Sequence, residues 1–156
     1  MSHEARLTAA GIALPGPHLP PAPLLGAVVH AGTARTSGAL PRDADGAFPA
    51  LGVCGRDVTT EVGVECARLA LFNAVSLVRD ALGSLDRVER VLTITVFVAS
   101  TPDYSEQPVV ADGASRALLE VFGDDAGRHT RSAIGVASLP RRAPVEVELT
   151  VALVAD

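Results

Sequence analysis

Between Thr59 and Leu82 the apolar residues Val62, Cys66, Leu69, Phe72 and Val75 recur at helical spacing, and Glu61, Glu65, Arg68, Ser76 and Arg79 form a narrow polar stripe. That pattern predicts an amphipathic helix. Asp57, Thr59 and Thr60 suit its N-terminal cap, Glu61 favours the dipole of the first turn, and Gly83 is a natural stop. A polar stripe so narrow belongs to a helix that covers a sheet. A second helix is predicted from about Val109 to Phe122, ended by Gly123. Elsewhere the period drops to two. "RVLTITVFVAS", residues 90–100, sets Thr93 and Thr95 against Leu92, Ile94 and Val96, the alternation of a strand. Further strands are predicted at Ala27 to Ala31 and along "TARTSGAL", the latter ending at Gly38 before the turn-rich "PRDADGAFPALG". Residues 128–153 read as two strands of a closing hairpin about a Pro- and Arg-rich turn. In it Glu146, Glu148 and Thr150 face one way and Val145, Val147, Leu149 and Val151 the other.

The predicted order is strand, strand, helix, strand, helix, strand, strand, an α+β layer with both helices on one face of a single sheet. Residues 1–24 are Pro-rich and are expected to be an extended lead-in, leaving 25–156 as one domain. The second face of the sheet has no cover in this pattern. Self-association is the simplest remedy, and it creates clefts between subunits.

Composition narrows the function. The chain has 156 residues, enough for one domain with a proper core, and only 3% aromatic residues, so that core is built from Val, Leu, Ala and Ile. A net charge of −5 with no Trp and one Tyr argues against a nucleic-acid surface, which needs a basic patch and stacking rings. Cys54 and Cys66 form no CxxC pair, and the four histidines are scattered, so no metal site is expected. Prolines interrupt the apolar N-terminal stretch, and no apolar run is long enough to span a membrane. The expected location is the cytoplasm, with no membrane partner. P-loop, nucleophile-elbow and dinucleotide fingerprints do not occur.

Two charged residues stand out in the closing strands. Arg131 precedes the small residues Ser132, Ala133, Gly135 and Ala137, which leave space beside its guanidinium. It is either a solvated arginine at a strand start or a fork for a substrate carboxylate. Glu146 lies in a strand otherwise built for burial. A carboxyl beside an apolar wall can act as general acid or base, although Glu146 and Glu148 equally suit an exposed edge that discourages aggregation. Asp112 on the second predicted helix reads as a solvated charge, Ser37-Gly38 as a strand-end turn with backbone donors, and Arg141 and Arg142 as solvent-facing turn residues.

"TSGALP", "VLTITVFV" and above all "GRHTRSAIGVASLPRRAPVEVELTVAL" resemble the Rid family of reactive-intermediate deaminases, also called the YjgF family, and "EVFGDDAGRHTRSAIGV" resembles one of its longer subfamilies. The likeness runs from about Gly26 to Val154. It implies a chorismate-mutase-like fold, a six-stranded sheet backed by two helices, packed as a homotrimer with sites between subunits. By motif, Arg131 falls on the arginine that clamps a substrate carboxylate and Glu146 on the acid that handles water. Gly38 and Ala133 fall on positions whose backbone lines the pocket. The implied reaction is hydrolysis of enamines or imines, carboxylate-bearing small molecules such as 2-aminoacrylate, to a carbonyl compound and ammonia, with no cofactor. Three departures stand out. A tyrosine usual near the pocket is absent from "PPAPLLGAVV", an asparagine usual on the second helix is replaced by Asp112, and Arg35 stands in a normally apolar strand position. Asp112 at the pocket would repel an anionic substrate or supply a second acid. The alternatives are a non-catalytic trimer that binds a small carboxylate, or a pocket repurposed for a specialised biosynthetic pathway.

Overall fold

The computed structural model describes residues 1–155. Three α-helices, α1 (His3–Ala9), α2 (Thr60–Leu82) and α3 (Gln107–Gly127), accompany five strands: β1 (Ala27–His30), β2 (Thr33–Thr36), β3 (Val88–Ala99), β4 (Thr130–Val136) and β5 (Val145–Leu153). The strands form one sheet in the order β1-β2-β5-β3-β4. It is mixed: β3 and β4 are parallel, and the other pairs are antiparallel. The α+β architecture is as expected, with five strands rather than six.

α2 begins where its cap residues put it. Thr59 is the N-cap and its hydroxyl accepts the Val62 N–H at 3.3 Å, while Gly83 closes the helix in the left-handed conformation. The apolar faces of α2 and α3 lie on one side of the sheet. There Leu71, Val75, Val78, Leu118 and Val121 meet Ile94, Val96, Val98, Val147 and Leu149, all fully buried. Each such side chain contributes about 1.5–3 kcal/mol by leaving water. The opposite face carries Thr93, Thr95 and Phe97 of β3 beside Glu146, Glu148 and Thr150 of β5, and among the described residues no helix packs on it.

Two expectations change. Residues 3–9 are helical rather than extended: Ser2 caps α1 through the Ala5 N–H at 3.2 Å, Glu4 accepts the Leu85 N–H at 3.0 Å, and the His3 ring packs edge-on against Phe122. The closing strands also do not form a hairpin, because β3 lies between β4 and β5. β3 is the longest strand and its Val and Ile residues need partners on both edges. The connection 137–144 therefore crosses the end of β3, where the Ala99 N–H donates to the Pro144 carbonyl and the Ser100 N–H to the Val136 carbonyl, each at 2.9 Å. The second predicted helix runs on past its expected stop, although Gly123 does break its geometry with φ 79° and ψ 175°. Among the described residues no helix is long and apolar enough to cross a membrane.

Candidate functional site

Alternation along β5 turns Glu146 to the uncovered face, opposite Phe97 of β3. Beyond β2 the chain is tied to this strand by a reciprocal pair, the Ala39 N–H to the Val147 carbonyl at 2.9 Å and the Val147 N–H to the Ala39 carbonyl at 3.0 Å. The tie lays Gly38 directly on the Glu146 carboxylate. A Cβ at position 38 would collide with Oε1 of Glu146, so the carboxylate has its place only because this residue is glycine. Glu146 is half-buried. Lost hydration raises its pKa above the ordinary glutamate value, and the neighbouring Glu148 charge adds to the rise. A carboxyl in that condition keeps its proton further up the pH scale, which suits a general acid.

The Glu146 carboxyl lines a cleft of about 660 Å³ with Gly38, Arg42, Asn73 and Arg141, closed on one side by the Pro- and Leu-rich stretch 17–24. Asn73 is 3% exposed, and its Nδ2 donates to the carbonyls of Arg42 at 2.8 Å and Leu69 at 2.9 Å. Its Oδ1 is buried without a hydrogen-bond partner among the described residues. Sequence reasoning passed over Asn73 and Arg42. The available signal was an amide in the middle of the apolar helical run "LALFNAVSLV". Arg141 is exposed, as expected, and also lines the cleft, from a turn with φ 57° and ψ 20°.

Arg131 lies elsewhere. It pairs with Ile94, which in turn pairs with Leu149, and both of those are buried under the helices. Its guanidinium reaches α3, where Nη1 donates to Asp112 Oδ1 at 2.8 Å and to Ser115 Oγ at 2.9 Å, and Nη2 donates to the Pro108 carbonyl at 3.2 Å. Nε–H makes no hydrogen bond among the described residues. Ser115 Oγ also sits 3.0 Å from His129 Nε2. The Gly127 carbonyl, 2.7 Å from Nδ1, can only accept, so Nδ1 carries a proton. Asp112 is thus partnered by Arg131 rather than a lone solvated charge. Ala133 shares the helix-facing side of β4 with Arg131.

Within one chain, then, Gly38 and Glu146 meet, and Arg131 and Asp112 meet, but the two pairs are on opposite faces of the sheet and two strands apart. Arg35 pairs with Glu148 at 3.2 Å on the uncovered face. Tyr104 is remote from the cleft, its hydroxyl 2.8 Å from Thr60 Oγ1 at the start of α2. No group of three or more His, Cys, Asp or Glu among the described residues is arranged to hold a metal ion.

Comparison with known proteins covers nearly the whole chain. Residues 4–153 match the family described as "YjgF/chorismate_mutase-like, putative endoribonuclease". The chain is 42% identical over 149 residues to Protein TCP17 of Trypanosoma cruzi, covering 96% of this chain and 92% of that one. Its structure is similar to the Agrobacterium tumefaciens protein Atu1372, at 35% identity and a TM-score of 0.88, covering 97% and 92% of the two chains. It is also similar to a Shewanella oneidensis protein described as "a putative endoribonuclease", at 31% identity and a TM-score of 0.92, covering 98% and 100%.

Proposed function

The chain belongs to the YjgF/chorismate-mutase-like family, the Rid proteins, across residues 4–153, and from that premise we propose that it hydrolyses enamines and imines to a carbonyl compound and ammonia. The observation that carries the reading is the half-buried Glu146 carboxyl, set on Gly38 at the wall of a cleft and holding its proton above the usual range. The protonated carboxyl gives its proton to the imine nitrogen, or to the β-carbon of an enamine, which makes the carbon electrophilic. Water then adds to that carbon and returns a proton to the Glu146 carboxylate. The carbinolamine so formed takes that proton on nitrogen, its C–N bond breaks, and ammonia leaves as the C=O bond forms and the hydroxyl proton passes back to the Glu146 carboxylate. Water is consumed, one ammonia is released, and Glu146 ends as it began.

Arg131 clamps the substrate carboxylate in this scheme. Its Nε–H remains open, and Asp112, Ser115 and the Pro108 carbonyl hold the guanidinium in one orientation. The opposite-face placement of Arg131 and Glu146 supports a homotrimer in which β4 of one subunit approaches the Glu146 cleft of the next. Gly38 and Ala133 contribute backbone groups to that shared cleft. An RNA substrate is disfavoured by the net charge of −5.

The test is a coupled assay in which an amino-acid oxidase or a pyridoxal-phosphate lyase makes imines in situ. Wild type is expected to speed ammonia release, and Arg131→Ala and Glu146→Gln to abolish the acceleration. No acceleration by wild type with any imine overturns the reading. A second reading is a non-catalytic carboxylate binder that uses the same Arg131 clamp. It requires ligand binding that survives Glu146→Gln without turnover by wild type.

A further inference from the structure

The Glu146 cleft contains two arginines that have no salt-bridge partner among the described residues, Arg42 and Arg141. Arg42 is held by contacts of its carbonyl and guanidinium, and the backbone of Arg141 by its turn. Asn73, buried on α2, bonds the Arg42 carbonyl at 2.8 Å, and the Arg42 guanidinium lies over the Phe48 ring, 5.1 Å from its centroid. Arg141 and Arg142 are consecutive non-glycine residues in the left-handed region, at φ 57° and 61°. The Gly52 N–H pins that turn through the Arg142 carbonyl at 2.8 Å. Backbone strain of this kind persists where the surrounding structure enforces it, and it gathers at ligand sites.

Charge and size agree on what the cleft suits. Its lining carries two guanidiniums against one carboxyl, that of Glu146, so it attracts an anion. Leu24, Leu40 and Leu77 add apolar lining to the same cleft. The 660 Å³ volume lies within the roughly 300–1,000 Å³ of pockets that enclose drug-sized ligands, and 2-aminoacrylate would leave most of it empty.

We infer that the substrate of this cleft is an imine or enamine with an extended side chain ending in a second anionic group, which Arg141 and Arg42 bind while the leucines take the carbons between. The inference rests on the hydrolase reading for the reacting end and adds the recognition of the far end. It assigns Arg141 and Arg42 to specificity, separate from Arg131 and the first carboxylate.

The experiment compares kcat/KM for imines made in situ from glutamate and from norvaline, which share a chain length and differ in the terminal carboxylate. Binding of the corresponding products, 2-oxoglutarate and 2-oxopentanoate, is measured by calorimetry on the same protein. A charge-assisted contact predicts a preference of about 10- to 100-fold for the dicarboxylate in both measurements. That ratio is expected to collapse toward unity in Arg141→Gln and in Arg42→Gln, and to return in part in Arg141→Lys, which keeps the charge and guards against a folding artefact. Hydrolysis of both imines at equal rates, or a preference that survives both glutamine variants, overturns the inference and leaves the hydrolase reading intact. Dicarboxylate-selective binding without hydrolysis of either imine supports the far-end assignment and removes the hydrolase reading.

Discussion

At the scale of the residue, the chemistry depends on Glu146 and on what surrounds it. Burial is the first cause of its raised pKa and Glu148 the second. A carboxyl whose folded pKa is raised has its ionised form disfavoured by the fold. Stability is therefore full below the ordinary carboxylate range and is lost as pH climbs through the folded value. Glu146→Gln is expected to melt with wild type in acid and above it at neutral and alkaline pH, which thermal melts from about pH 3 to 9 would show. In the hydrolase reading the same proton is needed for turnover, so activity falls on the alkaline side of that pKa. Glu148→Gln, by removing the second cause, is expected to move that fall to lower pH. Gly38→Ala tests the placement of the carboxyl. The new methyl displaces the carboxylate, with an expected loss in kcat of about 100-fold or more, in keeping with what general acid–base groups contribute. Circular dichroism should stay unchanged, because β2 ends at Thr36, before the substituted position.

The elements record what the sequence makes legible and what it leaves to long-range packing. α2 was readable almost to the residue because its cap, its stripe and Gly83 are all local signals. The alternation of β3 and β5 gave the facing of Glu146 correctly for the same reason. The partner of β4 was not readable. Two apolar runs about a turn look like a hairpin, and only the need of β3 for cover on both edges sends the chain across it. α1 was missed because seven residues hold a helix only through distant partners, Leu85 and Phe122 among them. Of the site, Arg131 and Glu146 were visible as charges in apolar runs, whereas the Arg42–Asn73 wall arises from a contact between a loop and α2. The crossing of α2 and α3 makes a prediction of its own. A Cβ on Gly113 would run into the Val64 carbonyl of α2, and a backbone atom cannot step aside as a flexible side chain can. Gly113→Ala is expected to destabilise by about 1–3 kcal/mol in denaturant melts. Gly16→Ala, with open space around it, should stay within about 0.5 kcal/mol of wild type.

For the whole molecule the question is what the uncovered sheet face meets. Val28 is 53% exposed and Ile134 42%, and both stand on that face with Thr93, Thr95, Phe97 and Ser132. These residues present short polar and apolar side chains and the Phe97 ring, interrupted by the Arg35–Glu148 pair. A second sheet can pack on such a surface, and a cyclic arrangement of three copies would cover every face while keeping each contact equivalent. The same arrangement answers the placement of the site. Arg131 and Glu146 cannot reach one ligand across their own sheet, but β4 is an edge strand and a neighbouring subunit can approach it. Sedimentation equilibrium should therefore give a mass of three chains. Ile134→Lys places a charge on the uncovered sheet face and is expected to yield smaller species. If the cleft is shared, loss of the trimer removes imine hydrolysis although every site residue is still present and folded. A monomeric wild type with full activity, or a monomeric Ile134→Lys that retains it, would show that one chain holds the complete site. Arg131 would then be no more than the clasp between β4 and α3, leaving Arg141 and Arg42 as the cations that meet the substrate.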